Sequence, residues 1–75
     1  MKTFDPTITT TRTQPNVVKV DQGIFRSYLT ADDVAYYLNL IARPASPGFI
    51  RHEGLILDES QLLSLRAVLA AEWVA

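Results

Sequence analysis

The chain has 75 residues, of which 48% are hydrophobic and 20% charged, and its formal net charge is −1. A chain of this length forms one small domain at most, with a core that leaves little stability to spare. The absence of cysteine excludes disulfides and thiolate metal sites, and the near-neutral charge argues against a general nucleic-acid binder, which usually carries a basic excess.

The first 16 residues are rich in threonine and are bracketed by Pro6 and Pro15. Threonine favours extended backbone, but only Phe4 and Ile8 could anchor such a strand. We therefore expect residues 1–16 to be either a flexible Thr-rich tail or a weak edge strand, and residues 17–75 to form a single α+β domain. No signal sequence and no membrane-length apolar run is present, which favours a cytoplasmic protein without membrane contact.

Residues 17–20 and 24–28 have the composition of two β-strands. Between them lies a three-residue loop that ends at Gly23, as in a type I turn followed by a residue at positive φ. The pattern predicts a β-hairpin.

A helix is predicted to follow this hairpin, with Thr30 as N-cap and Asp33 completing a capping box. It should end at Arg43, because Pro44 disfavours helical backbone at the residue before it. Its apolar side should face the core and its polar side should face outward. The inner side contains Val34, Tyr37, Leu38 and Ile41, and the outer side contains Asp32, Tyr36, Asn39 and Arg43.

A second hairpin is indicated by residues 49–51 and 55–57, which flank a loop ending at Gly54. Its turn glycine aligns with that of the first hairpin, and each hairpin precedes a capped helix. The order is therefore ββαββα: two short antiparallel hairpins, or one sheet of three to four strands, packed on two helices. Residues 55–57 could instead be a lone strand that pairs with the first hairpin.

The last helix is predicted to begin after Asp58, which forms a capping box with Gln61. No Gly or Pro interrupts the chain from there to Ala75, so the helix is expected to continue to the end. It is apolar on two sides, which indicates a helix buried in a very small core or shared with a partner. Leu65 and Leu69 are predicted core residues.

His52 is the chain's one histidine, and with Arg51 and Glu53 it could form an acid–base group. No motif pairs it with a nucleophile or a second base, so we expect an exposed turn residue. With one histidine and no cysteine, a metal site would depend on carboxylates that are already assigned to helix starts. The sequence therefore predicts a protein that is not an enzyme and has no catalytic residue, metal or cofactor.

Protein binding remains as the favoured function, because Tyr and Arg frequently anchor interfaces. We expect a small regulator or inhibitor that binds a larger protein assembly, such as an RNA polymerase or another nucleic-acid-processing machine involved in transcription regulation. One alternative is direct nucleic-acid binding through basic and aromatic side chains. Another is a self-associating structural subunit, such as a homodimer. The predicted partner-binding residues are Arg12, Tyr36, Asn39, Arg43 and Arg51.

Overall fold

The computed structural model describes residues 7–73, so Phe4, Pro6 and the last two residues lie outside the described part. Its elements confirm the α+β class and the predicted ββαββα order, with one more strand in front. In chain order they are β1 (Thr9–Gln14), β2 (Val17–Gln22), β3 (Phe25–Thr30), α1 (Ala31–Ile41), β4 (Phe49–His52), β5 (Leu55–Asp58) and α2 (Glu59–Ala70).

The strands form two separate antiparallel sheets. One has three strands in the order β1-β2-β3, and the other is the β4-β5 hairpin. β1 pairs with β2 from Thr9 to Arg12, and an irregularity follows between Arg12 and Gln14. β1 and β3 are thus the two edges of the larger sheet. Residues 55–57 pair with β4, which is the hairpin interpretation and not the lone strand.

Both hairpin turns have two residues, not the three expected. In the first, Gln22 pairs with Phe25, and the turn is Gly23-Ile24 with positive φ at Gly23 alone, as in a type II′ turn. In the second, Glu53 and Gly54 both have positive φ, which is the type I′ pattern. Two-residue primed turns match the twist of the paired strands, so pairing extends further than composition indicated.

The core lies between the three-stranded sheet and the two helices. Every described element except β1 contributes a buried apolar residue, and α1 packs along α2. Leu65 is fully buried, as predicted, whereas Leu69 is only half-buried at the margin. Neither helix among residues 7–73 has the length and hydrophobicity needed to cross a bilayer. The buried apolar residues are Val18, Val20, Leu29, Val34, Ile41, Ile50, Leu55, Leu57, Leu62 and Leu65.

The prediction that the last helix continues to the end of the chain is wrong. α2 ends at Ala70, and Ala71 has extended backbone with φ −68° and ψ 157°. Its buried side contains Leu62 and Leu65, whereas Leu63 is exposed. The helix therefore has one buried face and is not enclosed on all sides.

Candidate protein-binding surface on helix α1

Helix α1 and the turn after it place four side chains in one exposed row. The helix ends at Ile41 and not at the predicted Arg43, and Ala42 continues with helical backbone at φ −73° and ψ −10°. Asp32, Tyr36, Asn39 and Arg43 are all exposed, and spacings of three and four residues bring side chains to one face of a helix. Tyr36 is the most prominent, because 60% of its surface is exposed. We call these four residues the outer row. It contains three of the five predicted partner-binding residues.

The N-terminus of α1 is held by the predicted capping box. The Asp33 N–H donates to the Thr30 hydroxyl at 3.1 Å, and the Thr30 N–H donates to the Asp33 carboxylate at 3.0 Å. These bonds satisfy two backbone N–H groups, of Thr30 and Asp33, that have no partner within the helix. The buried Val34 and Ile41 hold the opposite face against the core. Asp32, Tyr36 and Asn39 are therefore presented by a helix fixed at its start and along its inner side, and Arg43 lies in the turn that follows.

His52 also fixes α1, and the expectation of an exposed turn residue is wrong. Its side chain is 15% exposed and lies at the end of β4. The Nε2–H donates to the Tyr28 carbonyl at 3.2 Å, and Nδ1 accepts from the Tyr37 hydroxyl at 2.7 Å. His52 thus connects β3, β4 and α1.

Tyr37 carries this link to the outer row. Its ring lies edge-on to His52 and also contacts the ring of Tyr36, with both centroid distances 5.6 Å. Burial raises the pKa of Tyr37, and the negative charge of Asp33 adds to this effect. The phenol therefore stays protonated and able to donate at neutral pH. Tyr36 therefore packs against the ring of Tyr37, which is itself held by its hydrogen bond to His52.

Arg12 lies away from the outer row, on β1, and its guanidinium is used within the chain. It donates to the carbonyls of Val68 at 2.9 Å, Leu69 at 3.1 Å and Ala71 at 2.7 Å. Its guanidinium carbon also lies 5.3 Å from the ring centroid of Trp73. A cation at a helix C-terminus satisfies open carbonyls and interacts favourably with the helix dipole. These bonds from Arg12 stabilise the C-terminus of α2 at Ala70, earlier than the sequence predicted. Sequence reasoning missed this role, because the partners are more than 50 residues away.

Arg51, the fifth predicted residue, is exposed on β4, next to His52. The alternative of nucleic-acid binding draws on basic and aromatic side chains, and Lys19, Arg26 and Tyr28 lie together on the face of the larger sheet that carries no helix. Tyr28 is 54% exposed there and pairs with Lys19. Arg26 is bonded to Asp21 at 2.6 Å, and this hydrogen bond raises the pKa of Arg26. Part of the basic charge of this face is therefore neutralised.

Within residues 7–73, no three His, Cys, Asp or Glu side chains come together in an arrangement that could hold a metal ion. No protein family, curated protein or solved structure matches the chain.

Proposed function

We propose that this protein is a small non-enzymatic regulator or inhibitor that acts in the cytoplasm by binding a larger protein assembly. The observation that carries the proposal is Tyr36, a large aromatic side chain that is mostly exposed on a helix capped at its start. Tyrosine buries much surface at low entropic cost and is enriched among the residues that dominate binding energy.

The neighbours of Tyr36 support an interface of mixed character. Asn39 can donate and accept hydrogen bonds, and Arg43 can form a two-point contact with a carboxylate. Asp32 adds a negative charge at the other end of the row. An aromatic anchor flanked by polar groups of both signs suits a protein surface better than a uniformly charged polymer. The class of partner we infer is an RNA polymerase or another nucleic-acid-processing assembly, because the surface of this chain carries both basic and acidic side chains.

The test is capture of partners from native cell extract with the tagged protein, read by mass spectrometry. Tyr36→Ala and Arg43→Ala should each abolish or strongly reduce the captured assembly, because loss of a central anchor costs about 2 kcal/mol or more, roughly 30-fold in affinity. Tyr28→Ala is the matched control, since Tyr28 is a similarly exposed tyrosine on the larger sheet. Capture that survives Tyr36→Ala and fails with Tyr28→Ala would refute the assignment to α1.

Direct binding of single-stranded nucleic acid is the second candidate, favoured by the Tyr28 ring beside Lys19. Stacking aromatics next to basic side chains are typical of such surfaces. A fluorescence-anisotropy titration with labelled oligonucleotides at two salt concentrations tests it. Binding that persists at physiological salt and is lost in Tyr28→Ala would favour this candidate. No binding at that salt would favour the protein-binding proposal, because few phosphate contacts are available.

A further inference from the structure

The outer edge of β1 has backbone groups that face away from the sheet. Pairs that flank a two-residue turn exchange both backbone hydrogen bonds, and such pairs alternate along the strands. The Gln22–Phe25 pair therefore directs the backbone groups of Lys19 and Asp21 on β2 toward β1. Their partners there are Thr11 and Thr9.

It follows that the N–H and C=O groups of Thr10 and Arg12 point outward from β1. Among residues 7–73, no strand pairs with this edge. An unpaired edge is a ready template for another strand, and proteins usually blunt it with charged side chains or proline. The only charged residue within Thr9–Gln14 is Arg12, and its guanidinium is turned toward the end of α2. No charge on the side chains of β1 therefore opposes an added strand.

A groove of about 300 Å³ lies between this edge and α2. Its walls are short or slender side chains from both elements, which leaves room for the side chains of an added strand that point toward the helix. The lining residues are Ile8, Thr10, Ser60, Gln61, Ser64 and Val68.

The chemistry of β1 selects its own copy as the occupant. Consider an antiparallel pair of β1 strands in which Thr10 of one copy faces Thr10 of the other. Thr9 of each copy then faces Thr11 of the other copy, which gives two Thr–Thr pairs related by a two-fold axis. Facing threonines are favourable cross-strand pairs, and no like charges meet. The net charge of −1 also gives little repulsion between copies.

We propose that the protein forms a two-fold symmetric homodimer in which β1 pairs antiparallel with β1 of a second copy. The two three-stranded sheets become one continuous sheet, and α2 of each copy lies beside the seam. Because the same patch is used on both copies, the contact closes on itself and does not propagate into a filament. This dimer is independent of the α1 surface and of the partner proposed for it.

Two of the other three strand edges are engaged within the molecule. At β5, the N–H and C=O of Ile56 are bonded to the side chain of Gln22 at 2.7 and 2.8 Å. At β3, the carbonyl of Tyr28 is bonded to His52. These edges are already in use within the molecule.

The first experiment measures the mass in solution by light scattering over a roughly hundredfold range of concentration. We expect a shift with concentration toward twice the 8.4 kDa monomer mass. Thr10→Pro should abolish it and leave the monomer folded, because proline is tolerated on an edge where the N–H points outward. Thr10→Val, which keeps the N–H, should remain dimeric.

The second experiment uses single cysteines, since the chain has none of its own. Facing residues of a hydrogen-bonded antiparallel pair have Cα atoms about 5.5 Å apart, within the disulfide range of about 4.4–6.8 Å. Thr10→Cys should therefore become disulfide-linked at least tenfold faster than Ala35→Cys, an exposed control on α1. If Thr10→Pro does not fold, this pair of rates decides alone.

The proposal would be overturned by a monomer at every concentration, by equal oxidation rates for the two cysteine variants, or by a dimer that persists in folded Thr10→Pro. A monomer that binds an extended foreign peptide at β1 would also overturn it, because the occupant would then be a different chain.

Discussion

The molecule contains two hairpin–helix units whose element order is the same but whose means of support differ. The first, β2-β3-α1, has six-residue strands and gains a third strand from β1. The second, β4-β5-α2, has four-residue strands, and within residues 7–73 no further strand pairs with them. Isolated two-stranded hairpins are marginal in water, so the second hairpin requires support from outside its own ladder.

That support comes from side chains of the first unit. Gln22 bonds both backbone groups of Ile56, and the Ser27 hydroxyl donates to the Glu53 carboxylate. Phe25 also lies against Gly54, where a Cβ atom would come within 2.4 Å of its ring. Two similar local sequences therefore become one structure through a few polar side chains and one aromatic contact between the hairpin tips.

The largest expected effect is in the core that both units share. Leu65→Ala should lower the free energy of unfolding by about 2–5 kcal/mol, because a fully buried leucine leaves a cavity. Leu69→Ala should cost less, since Leu69 is half-buried. The exposed Leu63 is the control. Urea unfolding followed by circular dichroism measures all three, and equal effects of Leu65→Ala and Leu63→Ala would contradict the assigned core.

The next largest effect is expected from removing the hydrogen bonds of Gln22 to Ile56, which connect the two units. Gln22 is 2% exposed, so Gln22→Ala should cost about 1–3 kcal/mol by leaving the Ile56 backbone groups without partners. The loss should appear first as faster amide exchange in β4 and β5 than in β2 and β3. Gln14→Ala, at an exposed position, is the matched control. Uniform acceleration of exchange across both units would show that they do not differ in this way.

The smallest effect distinguishes the two helix caps. Hydrogen bonds from the Gln61 N–H and then from Ser60 lower the pKa of Asp58, so folding favours its ionised form. This contribution is complete above the unfolded pKa of about 3.9 and is lost as pH falls through the lower folded value. Asp58→Ala should cost about 0.5–2 kcal/mol at neutral pH.

Asp58→Asn provides the control, because asparagine caps equally well and does not titrate in this range. Urea unfolding at neutral and acidic pH should show a smaller acid-dependent loss in Asp58→Asn than in the parent. At the other cap, Thr30→Ala should also destabilise but leave that acid-dependent loss in place. If Asp58→Asn and the parent had identical pH profiles, ionisation of Asp58 would not contribute to the pH dependence of stability.

Features whose partners lie within one helical turn were predictable. The caps Thr30 with Asp33 and Asp58 with Gln61 formed as expected, since cap and partner are three residues apart. The exposure of Tyr36 followed from helical spacing alone. The turns lie at slightly different residues from those predicted. Strand pairing decides which residues close a hairpin, and composition marks only the approximate position of the turn.

The order of elements, both helix starts and the outward face of α1 follow from local pattern, because periodicity and capping depend on neighbouring residues. The end of α2, the partners of Arg12, the burial of Gln22 and the partial burial of His52 depend on packing between distant segments. The bonds of Gln22 and Arg12 span 34 and 56 residues, and no local pattern encodes such partners. Buried polar side chains need hydrogen-bond partners, and here those partners lie on distant segments, so their roles emerge once the chain has folded.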